Sequence, residues 1–243
     1  MVSLIITNDT ENMSSYLRQL LEKTAYTNYE ILLPARFENQ INIQNDRLRY
    51  VSTETRHGMI QAAKGEYVAL LNAGLVPTKN DWLKELMNIG QQETSGLVTG
   101  RVVDARYRVE TVGVSVDTDK GRLLYPEKGT PGKSLGYYYR IALPRNIQAA
   151  TEDCLLFNKQ LYLNLEGINE NLGKEWMGVD LSLQFASAGK RNVYVSYAIL
   201  KADEKMQNHD KKGSYKELAE KWTAEALVCL LYTSPSPRDR TRS

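Results

Sequence analysis

Short apolar runs alternate with amphipathic segments along residues 1–89. The runs are rich in Val, Ile and Leu and are bounded by Asn, Asp, Gly or Pro, a pattern typical of buried strands. The segments between them place apolar residues at helical spacing, as in Met13, Tyr16, Leu17 and Leu20. We therefore predict strands at 2–7, 29–33, 48–51 and 66–71, with helices that begin near 13 and span 59–64 and 77–89.

This alternation predicts an α/β fold with a mainly parallel sheet and helices on both faces. Ligands of such sheets bind beyond the carboxyl ends of the strands. A site is therefore expected in loops 8–10, 34–36 and 72–74. From about residue 97 the pattern changes to short strands with hairpin turns. The second half should add an antiparallel extension to the parallel core within one domain.

Composition and charge exclude several classes of protein. Hydrophobic residues make up 42% and charged residues 25% of the 243 residues, as in an ordinary globular domain. The net charge is +2, whereas a nucleic-acid-binding protein usually has a much stronger basic bias. No apolar run approaches the ~18 residues that a membrane-spanning helix needs. The N-terminus lacks the basic segment of a signal peptide.

The end of the chain differs in kind from the rest. Residues 229–239 read Cys-Leu-Leu-Tyr-Thr-Ser-Pro-Ser-Pro-Arg-Asp, which matches a translated transposase-type sequencing adapter; a natural Ser/Pro-rich linker is the alternative. We expect 229–243 to be a non-native tail and 1–228 to be a domain truncated at its C-terminal end. The tail holds three Arg and one Asp, so the body carries no net charge. Its single cysteine, Cys154, argues for a reducing compartment.

Several phrases fall in an order that resembles the family 2 glycosyltransferases. They are VSLIIT, NYEILL, AAKGEYVALLNAG, DWLKEL, TEDCLLFNKQLYLNLEGINENL and GVDLSLQFASAGKRNVYVSYA. The resemblance runs from Val2 to about Leu200 and implies a GT-A fold. It implies transfer of a sugar from a nucleotide-sugar donor to a glycan acceptor, in the synthesis of a cell-surface polysaccharide or another glycan. It also implies a cytoplasmic domain, free or peripherally attached to the inner face of the membrane, with a further glycosyltransferase domain in a longer chain.

The donor side of this resemblance lacks the acids that hold a metal. In such enzymes Mg²⁺ or Mn²⁺ ties the diphosphate to an Asp-x-Asp element, because these ions prefer carboxylate oxygens. This sequence has Asn72, Ala73 and Gly74 at that position. The resemblance still places the donor against these three residues and against Thr7 and Asp9. A metal cofactor is therefore implied by the resemblance, but its motif is absent.

Other expected groups are also replaced. The family has an Asp that contacts the nucleotide base, and the corresponding stretch here, 34–36, reads Pro-Ala-Arg. The family also has an Asp that accepts the proton from the acceptor, and the corresponding residue here is Gly178. The segment 54–63 is shorter than in the family, and a His after the last strand is replaced near Lys201. Two interpretations stay open. One is an active, metal-independent transferase, and the other is a non-catalytic domain that binds a sugar, a nucleotide or a partner.

Four acids are candidates for the missing catalytic base. Glu152 and Asp153 could do general-base work if burial raised the pKa of one of them; a solvated loop pair or an N-cap pair is the alternative. Asp180 is an acceptor-side residue by resemblance or the N-cap of a helix predicted at 179–188. Glu175 is a possible substitute base or a loop charge.

The remaining motifs have simpler explanations. Asp117-Thr118-Asp119 spells Asp-x-Asp but lies in a predicted hairpin, where Asp serves turn geometry. His57 and His209 are too isolated to indicate a metal site. Residues 137–139 are three consecutive tyrosines, which suit sugar stacking, an interface or a core.

Overall fold

Residues 1–203 and 215–223 are described by the structure, a computed structural model. The strands are β1 (Val2–Ile6), β2 (Tyr29–Pro34), β3 (Leu48–Val51), β4 (Tyr67–Leu71), β5 (Leu75–Pro77), β6 (Ser95–Val103), β7 (Val109–Thr111), β8 (Ser115–Asp117), β9 (Arg122–Leu124), β10 (Arg145–Asn146), β11 (Cys154–Asn158) and β12 (Arg191–Ala202). The helices are α1 (Met13–Glu22), α2 (Arg56–Ala62), α3 (Trp82–Gly90), α4 (Lys159–Leu163), α5 (Lys174–Ser187) and α6 (Tyr215–Lys221). Short 3-10 helices lie at Ala35–Phe37 and Tyr137–Tyr139.

One large sheet has the strand order β10-β12-β6-β11-β4-β1-β2-β3. Strands β3, β2, β1 and β4 are parallel neighbours, and β12 runs parallel to β6. Strand β11 lies antiparallel between β4 and β6, while β5, β7 and β10 add further antiparallel pairs. Strands β8 and β9 form a separate hairpin. The predicted α/β class, a parallel core with an antiparallel extension, is confirmed.

Helices cover both faces of this sheet, as predicted. Successive side chains of a strand point to opposite faces, and β1 shows the result. Its Leu4 packs in one core cluster with Leu17 of α1 and other side chains of α1 and α3. Its Ile5 packs in the other cluster, which contains Met59 of α2 and Phe185 of α5. The carboxyl edge between these two layers is where the site is expected.

Helix α1 begins at Met13, as predicted, whereas α2 begins at Arg56 and not at 59, and α3 begins after the predicted residue 77. Helix α1 is capped by Asn12, whose Oδ1 accepts a hydrogen bond from Ser15 N at 2.9 Å. Residues 8–10 remain in the loop that follows β1. Helix α3 begins at Trp82, because Pro77 belongs to β5 and pairs with Leu200 of β12.

Gly65 follows the predicted helix 59–64 but does not end it. Helix α2 ends at Ala62, before Gly65. A Cβ at Gly65 would lie 2.6 Å from Ser3 N and 2.7 Å from Ser3 Oγ. Gly65 is therefore needed for the close approach of its loop to β1.

None of the helices in the described part of the chain has the length and apolar character that crossing a membrane requires.

Candidate functional site

The loops after β1 and β4 lie side by side at the carboxyl edge of the sheet. Thr7 N donates to Leu71 O at 3.1 Å, and Ala73 N donates to the side-chain oxygen of Asn8 at 2.7 Å. Gly74 has a φ of 92°, which lets the chain turn back into β5. The structure thus brings together four of the five residues expected to contact a donor, namely Thr7, Asn72, Ala73 and Gly74, while Asp9 follows on the β1 loop. Their role in binding stays a prediction.

Asp9 is engaged by a cation. Arg36, which follows β2, forms an ion pair with Asp9 at 2.8 Å and a second ion pair with Glu54. The hydrogen bond to Asp9 is the main reason why the pKa of Arg36 is raised above its usual value. These three side chains are exposed and bridge the loops beyond β1, β2 and β3. The guanidinium of Arg36 therefore lies in the stretch where the resembling enzymes have an Asp that contacts the nucleotide base.

Asp153 contacts Asn72, the first of the residues that replace the metal motif. Its backbone oxygen accepts a hydrogen bond from Asn72 N at 2.9 Å, and its Oδ1 lies 3.4 Å from Asn72 Nδ2. Its Oδ2 accepts a hydrogen bond from Thr151 Oγ1 at 2.6 Å. Asp153 is 5% exposed. The antiparallel pairing of β11 with β4 sets this register.

Glu152 is also buried and is held by an arginine. It is 4% exposed and forms an ion pair with Arg56, the first residue of α2. Arg56 also lies 3.9 Å from Glu170. The alternative of a solvated loop pair is therefore wrong for Glu152 and Asp153. The observed ion pair gives Glu152 a structural partner, and its catalytic role stays a prediction.

Gly178 sits where no side chain fits. A Cβ at this position would lie 2.4 Å from Ala150 O, 2.8 Å from Thr151 C and 2.9 Å from Glu152 N. These are backbone atoms, which cannot swing aside as a flexible side chain does. Helix α5 therefore packs directly against segment 150–152. The position that the resemblance gives to the proton-accepting Asp is filled by main chain.

Asp180 lies inside α5, because this helix begins at Lys174 and not at 179. The alternative N-cap role for Asp180 is therefore wrong. Asp180 is fully buried; its Oδ1 accepts a hydrogen bond from Trp222 Nε1 at 2.7 Å and lies 3.0 Å from Lys221 Nζ. Its Oδ2 accepts a hydrogen bond from Gln184 Nε2 at 2.7 Å. These contacts tie α6 and the residue after it to α5.

Glu175 lies in the first turn of α5, near Tyr125. Burial raises the pKa of Tyr125 strongly, and the interaction with Glu175 together with the charges of Asp153 and Glu110 raises it further. Tyr125 follows the β8–β9 hairpin. Glu175 is therefore part of a helix and not a loop charge. The Tyr125 hydroxyl therefore lies near the candidate acids Glu175 and Asp153, where the sequence predicted acids alone.

The described residues do not fit a divalent metal. No group of three or more His, Cys, Asp or Glu side chains in the described ranges has an arrangement that could hold a metal ion. At the expected position Asn72 and Asp153 are the oxygen donors, and Ala73 and Gly74 offer no side-chain oxygen. The pair offers one amide and one carboxylate, whereas the Asp-x-Asp element of the resembling enzymes offers two carboxylates to the metal.

The remaining sequence motifs have structural roles. Asp117 accepts a hydrogen bond from Lys120 N at 3.2 Å within the β8–β9 hairpin, which confirms the turn interpretation of 117–119. His57 Nδ1 lies 2.9 Å from Tyr162 OH. Cys154 is buried, and burial raises the pKa of its thiol to about 12. His209 and the predicted tail 229–243 lie outside the described residues.

Comparisons with known proteins support the fold. No family model matches the chain. The "Uncharacterized protein y4gI" of Sinorhizobium fredii is 26% identical in an alignment 223 residues long, which covers 82% of this chain and 24% of that protein. This chain thus spans about a quarter of that relative's length.

Two solved glycosyltransferases have similar structures. The crystal structure of GalNAc-T7 with UDP, GalNAc and Mn²⁺ has a TM-score of 0.69 at 14% identity, and the match covers 93% of this chain and 48% of that one. The mannosyltransferase PcManGT from Pyrobaculum calidifontis, in complex with GDP-Man and Mn²⁺, has a TM-score of 0.56 at 15% identity, and the match covers 86% and 58%. At these identities the likeness shows the fold alone, and the fold is GT-A-like.

The sequence alone did not single out the partners of the candidate acids. Arg56 lies before the AAKGEY phrase, which begins at Ala62, and Tyr125 and Trp222 lie far along the chain from the acids near them. A buried acid requires a partner, but that rule does not say which residue supplies it.

Proposed function

We propose that this chain is a glycosyltransferase-like domain that binds a nucleotide-sugar at the carboxyl edge of its sheet but transfers the sugar slowly or not at all. The GT-A-like fold and the phrases that resemble family 2 enzymes support the ligand class. The observation that carries the proposed loss of catalysis is the contact of Gly178 with Ala150 O, because it leaves no room for an acceptor base.

The metal position supports the same proposal. A departing diphosphate needs electrostatic stabilisation, often the largest catalytic contribution, and Asn72, Ala73 and Gly74 cannot supply a metal-bound carboxylate. Two of the acids proposed to replace the base have other partners: Glu152 forms an ion pair with Arg56, and Asp180 accepts a hydrogen bond from Trp222. Loss of a general base typically lowers the rate 10²–10⁴-fold.

A nucleotide could still bind through cations and backbone groups. Arg36 and Arg56 lie near the edge where the loops after β1, β2 and β4 meet. A guanidinium binds phosphate oxygens in a bidentate manner. We therefore propose that a diphosphate is held by guanidinium groups and loop amides. In a longer protein, such a domain would position a sugar or a partner domain for catalysis elsewhere.

The test is calorimetry and donor turnover with the full 243-residue chain. Uridine and guanosine diphosphate sugars are titrated with and without Mn²⁺, and donor hydrolysis and transfer to a glycan panel are followed. We expect binding that does not depend on Mn²⁺ and turnover well below the ~1–10³ s⁻¹ of ordinary enzymes. Arg56→Gln should weaken binding roughly tenfold, while Lys84→Gln on the solvent side of α3 should leave binding unchanged.

Ordinary turnover would contradict the loss of catalysis, and abolition of that turnover by Glu175→Gln would identify Glu175 as the base. No binding of any nucleotide-sugar would contradict the ligand class itself.

A further inference from the structure

A loop between β9 and β10 displays an unusual concentration of exposed apolar surface. Leu135, Tyr137, Tyr138, Tyr139 and Leu143 are 56%, 65%, 81%, 55% and 51% exposed. Five of the eight large hydrophobic side chains that the described residues expose therefore lie within 135–143. We call residues 133–143 the tyrosine knuckle. A concentrated exposed patch of this kind marks an interaction surface more often than scattered residues do.

The base of the knuckle is fixed by a buried arginine. Arg101 of β6 donates from Nη1 to Gly132 O at 2.7 Å and from Nη2 to Ile141 O at 2.6 Å. Tyr194 OH also donates to Ile141 O, at 2.8 Å. Ile141 itself is fully buried. The knuckle is therefore anchored on both sides of its tip.

The backbone turns the three tyrosine rings outward. Tyr138 and Tyr139 have φ values of 48° and 61°, a left-handed conformation that bulky residues rarely adopt. The main chain holds it: Ala142 N and Leu143 N both donate to Tyr139 O at 3.0 Å. Tyr137 and Tyr138 pack edge to face with ring centroids 4.5 Å apart. Such strain persists where the surrounding structure fixes it, and it clusters at functional surfaces.

The sequence of the knuckle is basic, although one acid lies at its base: Glu127 Oε1 accepts a hydrogen bond from Tyr137 N at 3.0 Å. Residues 128–151 contain four basic and no acidic residues, although the whole chain has a net charge of only +2. Lys128 pairs with Glu110 at 2.9 Å, and Arg145 donates to Val112 O. Lys133 and Arg140 are exposed beside the tyrosines, with Arg140 over the Tyr137 ring at 5.7 Å. The apolar tip is therefore flanked by cations.

We propose that the tyrosine knuckle docks this domain on an anionic phospholipid surface. Tyrosine is favoured at the membrane interface because its ring is apolar and its hydroxyl is polar. Leu135 and Leu143 would enter the headgroup boundary, and Lys133 and Arg140 would attract anionic headgroups. A carbohydrate stacked on the rings would leave the two leucines and the two cations unused. This proposal does not depend on the one made for the carboxyl edge.

Vesicle co-sedimentation of the full chain tests the proposal. Vesicles of phosphatidylcholine with about 30% phosphatidylglycerol are compared with pure phosphatidylcholine, because the surface charge should matter. We expect binding to the anionic vesicles only. Tyr137→Ser combined with Tyr138→Ser should weaken the partition coefficient about tenfold. Lys133→Gln combined with Arg140→Gln should weaken it roughly fivefold per cation.

A matched control removes the same charge elsewhere. Lys79→Gln combined with Lys84→Gln, both exposed and outside the knuckle, should have a much smaller effect. All variants keep residues 229–243, so the three arginines there contribute equally. A Tyr138→Trp reporter should shift its emission to the blue on binding and be quenched by brominated lipid.

Three results would overturn the proposal. They are wild-type protein that stays in the supernatant with anionic vesicles, tyrosine variants that bind as well as wild type, and a reporter whose emission does not change. Retardation of the wild type, but not of the tyrosine variant, by a neutral glucan in a native gel, without vesicle binding, would assign the knuckle to a glycan instead.

Discussion

Gly178 of α5 and Ala150 lie so close that a Cβ on the glycine would stand 2.4 Å from the Ala150 carbonyl oxygen. The two residues belong to the elements that would carry the acceptor base in the resembling enzymes. Restoring an aspartate at 178 is therefore not a local change, since α5 or segment 150–152 would have to move. The absence of a side chain at Gly178 thus accounts both for the close packing of α5 against segment 150–152 and for the missing base.

Gly178→Asp should destabilise the protein strongly. Overpacking typically costs about 1–3 kcal/mol, and forcing backbone apart adds to this. The free energy of unfolding, measured by urea denaturation, should fall by roughly 3 kcal/mol or more. Gly178→Ala should already lower it. Gly189→Asn is a matched control, because a Cβ there meets nothing within 4 Å and Asn tolerates its φ of 75°. A stable Gly178→Asp variant with restored turnover would contradict this account.

Asp180 is expected to hold α6 in place. Replacing one partner of a buried, hydrogen-bonded ion pair typically costs about 3–5 kcal/mol, because the other partner is left uncompensated. Asp180→Ala should therefore increase hydrogen exchange of the amides in α6 (Tyr215–Lys221) far more than in β1. Trp222→Phe, which loses one hydrogen bond to Asp180, should have a smaller effect of roughly 1 kcal/mol.

Glu166→Gln is the control for Asp180. Glu166 pairs with the same Lys221 at 2.8 Å but is 75% exposed, and exposed ion pairs contribute little. If Asp180→Ala left the exchange of α6 unchanged, the anchoring role would be wrong.

The pattern of apolar and turn residues predicted the strands well where neighbouring residues define them. Val2–Ile6 and Cys154–Asn158 are apolar runs bounded by turn residues, and both are strands. The start of α5 was missed because Gly173 precedes it without a capping side chain and Gly178 interrupts it. The Arg56–Glu152 ion pair joins residues 96 positions apart, and the Trp222–Asp180 hydrogen bond joins residues 42 apart. No local periodicity reports such contacts, so the candidate acids were found without their partners.

Acid should weaken the fold through Glu30. Burial alone would raise the pKa of Glu30, but hydrogen bonds from Arg49, Ser3 and Lys64 N outweigh it and lower the pKa below its ordinary value. A lowered pKa in the folded state means that the carboxylate contributes stability above the unfolded-state pKa. That contribution is lost as the pH falls through the folded-state pKa. The unfolding free energy of the wild type should therefore drop as the pH falls below 4.5, the ordinary pKa of a glutamate.

Glu30→Gln should flatten this dependence. The variant should be less stable than the wild type by roughly 1–3 kcal/mol at neutral pH, because Arg49 loses its carboxylate. The difference should shrink as the pH falls. Glu22→Gln, an exposed change on α1 that removes the same charge, should leave the curve almost parallel to that of the wild type. A Glu30→Gln curve with the full wild-type slope would show that other groups control the acid response.

Asp153→Asn should change the affinity for a nucleoside diphosphate in opposite directions, depending on whether a metal takes part in binding. Asp153 Oδ1 lies 3.4 Å from Asn72 Nδ2, beside the loop where the resemblance places the diphosphate. Without a metal, this buried carboxylate repels a bound diphosphate, and its burial strengthens the repulsion relative to water. Asp153→Asn should then tighten uridine or guanosine diphosphate binding several-fold, by about 1 kcal/mol. If a divalent metal bridged the two, the same variant would lose a ligand and bind the diphosphate more weakly in Mn²⁺. Calorimetry with and without Mn²⁺ measures both signs. Asp119→Asn, an exposed change in the β8–β9 turn, removes the same charge and should leave the affinity unchanged. If Asp153→Asn bound the diphosphate more weakly than the wild type only when Mn²⁺ is present, a metal would be shown to bind at this edge.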